Sequence, residues 1–238
     1  TQERPGEISP GIDTVFSGDR VTGTKRFVAN ARAADAFIVT TGAGPVLVRR
    51  EAQGVSIHPA VSQDGTSLDT VRFDGALGEA LSGDYMAIHE ELTLAHAFYL
   101  LGAMEKAFNA TLDYVKNRRQ FGQAIGSFQA VRHRFADLKI QLEVTRATLD
   151  QSALVLDGNP SPLQAQLAVS RAKARASDAA MMIANYSVQF HGGMGYTDET
   201  DIGLFVRKIL SAYNQYGSAK AHRRRFAALG GVSMRSPA

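Results

Sequence analysis

Val131, Phe135, Leu138, Leu142 and Leu149 step along the chain by fours, threes and sevens. That spacing stacks all five on one face of an α-helix, because side chains three or four apart lie above one another. Gly158-Asn159-Pro160-Ser161-Pro162 ends this helix and starts another, with Ser161 placed as an N-cap and Pro162 in the first turn. Leu163 to Phe190 is Ala-rich and helix-prone, Gly192 to Gly195 breaks the chain, and Ile202 to Leu229 resumes helical spacing. Upstream, Leu92, Ala95, Tyr99, Gly102 and Met104 open a further helical segment that runs to about Asn117. Four long helices with short connections predict an up-down four-helix bundle. Small residues along Ala165 to Ala184 favour close helix approach, and the apolar ends of the bundle predict that it continues across a subunit interface.

The first third reads differently. Thr14 to Ala29 forms two runs broken at Ser17-Gly18-Asp19, a turn signal. Phe37 to Thr41 and Val46 to Arg49 are apolar runs separated by Gly42-Ala43-Gly44-Pro45. Val55 and Ile57, then Val71 and Phe73, alternate with polar residues as in a strand buried on one face. The composition changes between Gly75 and Gly83. The prediction is an α+β chain, a small antiparallel β-domain over residues 1–82 followed by the helical bundle over 83–238.

The bulk numbers set bounds. A chain of 238 residues with 45% hydrophobic and 21% charged residues is ordinary for a soluble globular protein of one or two domains. A net charge of +3 is too small to imply a nucleic-acid partner. There is no cysteine, which excludes disulfides, thiolate catalysis and cysteine metal sites, and no metal is expected. No apolar run approaches the roughly 18 residues that span a bilayer, and the N-terminus lacks a signal pattern. The expected setting is cytoplasmic. The chain opens on Thr1 and not on Met, leaving room for a preceding segment. Lys220 with His222 to Arg225 concentrates charge; it reads as the exposed C-terminal end of a helix, where cations suit the dipole, or as an anion contact.

Two motifs carry the functional reading. Arg118-Arg119-Gln120-Phe121-Gly122 reads by itself as a helix C-cap with snorkelling arginines, and Gly192-Gly193-Met194-Gly195 as a flexible interhelical loop able to approach a phosphate. Between them lie Ile125-Gly126-x-Phe128-Gln129-Ala130-Val131 and Ala136-Asp137, and around the glycines Gln189-x-His191-Gly192-Gly193-x-Gly195-Tyr196-Thr197-x-Glu199. In this order and spacing they resemble the C-terminal domain of acyl-CoA dehydrogenases. Gly18-Asp19-x-Val21-x-Gly23-Thr24-Lys25-x-Phe27-Val28-x-Asn30 and Ala34-Asp35 resemble that family's central β-domain, so the likeness covers residues 12–229.

The resemblance implies an FAD enzyme that removes hydrogens from the α and β carbons of an acyl-CoA thioester. A carboxylate takes the α-proton, and the flavin lies at a dimer interface with its adenosine diphosphate half held by the neighbouring subunit. By motif match, the neighbour-clasping residues are Arg118, Gln120, Phe121, Phe128, Gln129, Gln189, Gly192 and Gly193. Arg118 offers a fixed fork to pyrophosphate.

The chain also departs from the family pattern. The family's N-terminal helical domain and its Glu-Pro-Gly-x-Gly-Ser-Asp-type segment are not among these 238 residues. Phe27 stands where an aromatic covers the flavin, but Ala29 falls where a Ser or Thr hydroxyl serves the flavin N5 region. The family's Glu-Gly-Thr, whose Glu is the catalytic base, falls on Tyr216-Gly217-Ser218, and a phenol is a poor base near neutral pH. The alternative base position, on the first bundle helix, is Leu92, with Glu90 and Glu91 beside it; otherwise these two read as a solvated first-turn pair. No catalytic base is therefore assigned to this chain. The features that reach toward a neighbour's flavin are intact, while those that would serve its own are weakened. That pattern implies a partner subunit in an α2β2 assembly with a second acyl-CoA dehydrogenase-like chain, which would hold most of the acyl-CoA. Family members of two unlike chains, known from steroid side-chain degradation, are the analogy. The alternatives are a homo-oligomeric dehydrogenase seen as a fragment, with Glu91 as base, and a purely structural helical bundle.

Overall fold

The computed structural model describes residues 13–230, which divide into two compact units on either side of the His89–Glu90 bond. The first is an antiparallel sheet of six strands: β1 (Val15–Ser17), β2 (Arg20–Ala29), β3 (Ala36–Thr41), β4 (Gly44–Arg49), β5 (Val55–His58) and β6 (Leu68–Ala80). The Gly18-Asp19 turn joins β1 to β2 as its sequence demands. β6 is the spine. β2 pairs along one edge of it, while β5 and then β4 take the other, and β3 closes on β4. Alternation along these strands buries Val21, Val28, Phe37, Val39, Val46, Val48, Val71 and Phe73 together. Phe37 and Phe73 meet edge to face at 6.0 Å.

β2 is not regular. Its register on β6 shifts between Lys25 and Val28, and Phe27 takes φ 56 at that bulge. The bulge turns the Phe27 ring out to 42% exposure, and Ala29 is exposed as well.

The helices follow. α1 (Tyr85–Asn117) opens where Asp84 Oδ1 accepts from the backbone N–H of Met86 and Ala87. The expected boundary at 82/83 falls between β6 and α1. α2 (Gln129–Asp157) buries Phe135, Leu138, Leu142 and Leu149, four of the five residues whose spacing called for a helix. α3 (Pro162–His191) starts on a capping box: Ser161 accepts from the Gln164 N–H, and Gln164 Oε1 accepts from the Ser161 N–H at 2.9 Å. Leu100 and Met104 of α1, Leu142 and Leu149 of α2 and the alanines of α3 share one core.

The spacing of Ile202 to Leu229 called for one helix, and the structure has two: α4 (Ile202–Ala212) and α5 (Ala219–Ala228). Tyr216 at φ 58 and Gly217 at φ 104 cannot continue a right-handed helix. Ser218 then caps α5, accepting from the Ala221 N–H.

Two expectations about charge fail together. Glu90 is buried rather than solvated, and the basic cluster lies along α5 rather than at an exposed end. Arg225 grips both Glu90 oxygens at 2.6 and 2.8 Å, and also donates to Ser170 Oγ and the Gln166 carbonyl. A fork with this many matched acceptors ties α5 to α1 and α3. His222, in the same cluster, is fully buried. Glu91 and Leu92 remain on the exposed side of α1.

Removing one member of a buried pair strands the other. Arg225→Met should cost about 3–5 kcal/mol in chemical denaturation. The double change Glu90→Leu with Arg225→Met should recover most of that loss. Equal losses in single and double variants would contradict the tie.

Candidate functional site

All eight residues singled out by motif lie in the helical unit, around the ends of α1 and α3. α1 stops at Asn117, and a two-residue turn links β7 (Arg119–Gln120) to β8 (Gln123–Ala124). Phe121 (φ 53) and Gly122 (φ 81) form that turn, both with positive φ as a tight primed turn requires. The Arg118 N–H bonds the Tyr114 carbonyl at 2.8 Å, and its own carbonyl accepts from Ile125 at 2.8 Å, so Arg118 is the base of the hairpin. A Cβ at Gly126 would stand 2.9 Å from the Val115 carbonyl, so only glycine lets the chain leave the hairpin so close to α1.

The hairpin tip is unusual for what it leaves in solvent. Phe121 is 91% exposed, and its described ring contact is Phe128, edge to face at 6.3 Å. Gln120 and Gln129 are exposed beside it. A large apolar ring is thus held out in solvent on a turn of positive φ.

At the other end of the site, α3 terminates at His191 and a 3-10 turn runs from Gly192 to Tyr196. Gln189, Gly192 and Gly193 are all exposed there. At Gly195 an added Cβ would meet the Val188 carbonyl at 2.8 Å, so this glycine fastens the turn down on α3 while Gly192 and Gly193 face open space.

The two ends meet in one cavity of about 550 Å³, lined in part by Tyr114, Asn117, Arg118, His191 and Thr200. Asp113 and Asp201 also line it, yet among the described residues the Arg118 guanidinium makes no ion pair. The structure thus brings Arg118 together with His191, the residue before the glycine turn, and sets the Phe121 hairpin directly after Arg118; Gly192 and Gly193 do not line this cavity. Tyr114 and His191, absent from the motif set of binding residues, floor this region. Their rings stack at 4.2 Å, His191 Nδ1 donates to the Ser187 carbonyl at 2.8 Å, and the Tyr114 hydroxyl reaches Met194 Sδ at 3.6 Å. Tyr114 stands four residues before Arg118, one helical turn away, and that spacing was the signal available for it.

Tyr216 lies elsewhere, at the α4–α5 bend. Its ring packs on His96 at 5.1 Å, and burial pushes its hydroxyl above the ordinary tyrosine value, so the phenol stays protonated. His96 donates from Nε2 to the Ala212 carbonyl at 2.9 Å and stacks on Tyr99. Burial pulls the His96 ring down to about 4, further lowered by the Lys173 charge and partly offset by the Ala212 bond. A protonated phenol beside a neutral imidazole provides no anionic base there at neutral pH.

The described helical unit matches the family model "Acyl-CoA dehydrogenase, C-terminal domain" over residues 90–229. Acyl-CoA dehydrogenase FadE27 of Mycobacterium tuberculosis is 30% identical over 222 residues, covering 87% of this chain and 60% of that protein. Acyl-CoA dehydrogenase IpdE2 of Mycolicibacterium smegmatis is 34% identical, covering 61% of this chain and 44% of that protein. Among solved structures, the ChsE4–ChsE5 complex from Mycobacterium tuberculosis superposes with a TM-score of 0.85 at 28% identity, covering 98% of this chain and 66% of the matched one. This chain therefore spans about half of the curated relatives' length. Among the described residues no helix is long and apolar enough to cross a membrane.

The lowered His96 value has a testable sign. Between pH 6.5 and about 4 the unfolded chain takes up a proton that the folded chain refuses, so stability falls as pH drops through that window. NMR titration of the His96 ring should show a midpoint near 4. A midpoint at or above 6 would contradict the buried, neutral assignment.

Proposed function

The chain belongs to the acyl-CoA dehydrogenase family, and on that premise we propose that it is the non-catalytic subunit of a heteromeric FAD-dependent enzyme that desaturates an acyl-CoA thioester. One contrast within the helical unit supports this reading. The surface matching the family's grip on a neighbouring flavin is open, whereas the position matching its base carries a half-buried, protonated tyrosine.

The residues fit the cofactor. Arg118 offers a guanidinium without an internal carboxylate partner, suited to a pyrophosphate. Gly192 and Gly193, where an added Cβ would meet nothing within 4 Å, let that group lie close to backbone. Gln189, Gln120 and Gln129 supply exposed amides that both donate and accept. Phe121 and Phe128 supply a ring surface that an apolar or planar group can cover. When bound, FAD supplies the acceptor for the hydride leaving the acyl β-carbon. The α-proton goes to a carboxylate of the partner chain, because Tyr216 cannot take it. This chain's part is to bind and orient the cofactor's distal half and to exclude water from it.

The partner is accordingly a second acyl-CoA dehydrogenase-like subunit that holds most of the acyl-CoA, in a cytoplasmic α2β2 assembly. The ChsE4–ChsE5 complex is the precedent for pairing. A solved structure named as a steroid acyl-CoA dehydrogenase, Tcur3481–Tcur3483, also superposes at a TM-score of 0.85 with 26% identity, which brings acyl chains of fatty acids or steroid side chains within the substrate class.

Expressed alone the chain should be colourless, and co-expressed with its partner it should carry one FAD per pair of unlike chains. Arg118→Ala should weaken FAD retention in that assembly about 10- to 100-fold, the worth of one charged hydrogen-bonding partner. Tyr216→Phe should leave turnover within about twofold, where loss of a true general base costs about a hundredfold or more. Yellow, active protein from this chain alone would overturn the proposal and make Glu91 the base to test.

A further inference from the structure

The α4–α5 bend is held by side chains from α1, α3 and α5 itself, and one of them is a buried lysine. The turn's own amides close part of it, Gln215 N–H bonding the Ala212 carbonyl at 2.9 Å, and side chains from beyond the turn reach the carbonyls described there. His96 of α1 donates to Ala212, His222 of α5 donates to Tyr216 at 2.8 Å, and Ser177 of α3 donates to Tyr213 at 2.8 Å. Lys173 of α3 donates to Tyr213 at 2.9 Å, to Gly217 at 3.2 Å and to Ser177 Oγ at 2.8 Å. Its side chain is fully buried, and none of its described partners is a carboxylate. The titratable groups around it are His96 from α1, His222 from α5, and Tyr213 and Tyr216 on the bend itself.

We propose that Lys173 is a proton-linked clamp on the α4–α5 bend, fixing the backbone from which Tyr216 packs on His96, so that opening of the bend takes up a proton. The geometry accommodates both proton states. As an ammonium, Lys173 uses three donors on three acceptors. As an amine it keeps two donors for the Tyr213 and Gly217 carbonyls, and the Ser177 hydroxyl rotates to donate into the nitrogen lone pair. Only burial disfavours the ammonium, bringing the group down to about 7 from its ordinary 10.5. When the bend opens, water reaches the nitrogen and the ordinary value returns.

The sign follows. Between about pH 7 and 10.5 the open bend holds one proton more than the closed bend, so closure strengthens as pH rises through that window. Below it both states are protonated and the dependence vanishes. The clamp belongs to this chain's own bundle, and it stands whether or not the chain completes a flavin site.

Hydrogen exchange of the full chain in its native assembly tests this, read at the Tyr213 and Gln215 amides, which bond back to Ile209 and Ala212. After correction for intrinsic rates, protection should rise with pH above about 7 at up to about tenfold per pH unit, the slope of one proton. Lys173→Met and Lys173→Arg should each abolish that rise, while His96→Gln and His222→Gln keep it. Amides along α3 serve as the internal control for folding. In the unaltered chain, NMR titration of the Lys173 amino group should give a midpoint near 7, which needs no variant to fold. A midpoint near 10, a flat exchange profile, or a rise that persists in Lys173→Met would each overturn the proposal.

Discussion

Along α3, alanine or serine occupies positions 168, 170, 172, 174, 176, 177, 179, 180, 184 and 187, every one of them buried. Side chains this small let neighbouring helices approach closely, and the larger residues that fill the space come from outside: Leu100 and Met104 from α1, Leu142 and Leu149 from α2, Ile202 and Ile209 from α4. Because α3 contributes little volume, its position is set by what others bring to it. The same helix carries Ser161 at one end and His191 at the other, so the place of His191 in the cavity it shares with Arg118 is inherited from this packing.

Into that small-residue surface the fold inserts two long polar tethers. Arg225 reaches Glu90 and Ser170, and Lys173 reaches the bend between α4 and α5. Buried charge is expensive, and an apolar replacement of similar volume is often at least as stable. What such groups contribute is direction. An apolar bundle permits α4 and α5 to slide or merge into one helix; hydrogen bonds to the Tyr213 and Gly217 carbonyls allow one bend only. The conformation of Tyr216 therefore depends on a residue 43 positions earlier.

This explains which parts of the structure could be read from the sequence. The β1–β2 turn, the α2 face and the Ser161 capping box rest on contacts a few residues apart, where spacing and turn chemistry decide the outcome. Arg118, Phe121, Gln189 and Gly192 stand out only through the resemblance to a family, because their local spacing reads equally well as a helix end and a loop. The broken last helix was not legible: Gly217 is a weak signal, and the bend around Tyr216 is held by Lys173 and His96 from α3 and α1 as well as by His222 of α5. Glu90 and Arg225 looked solvated for the same reason. Their pairing spans 135 residues, and no local pattern reports it. Tyr114 and His191 stack only because two helix ends meet.

The functional reading rests on the same division between a surface built outward and a position packed inward. Arg118, Phe121, Gly192 and Gly193 are exposed, while Tyr216 is half-buried against His96. The most direct test is a crystal structure of the chain with its partner and FAD. The account predicts the pyrophosphate against Arg118 and the backbone of Gly192 and Gly193, with the isoalloxazine ring and a carboxylate base in the partner. A flavin enclosed by one chain alone, with this chain's Arg118 left in solvent, would contradict it.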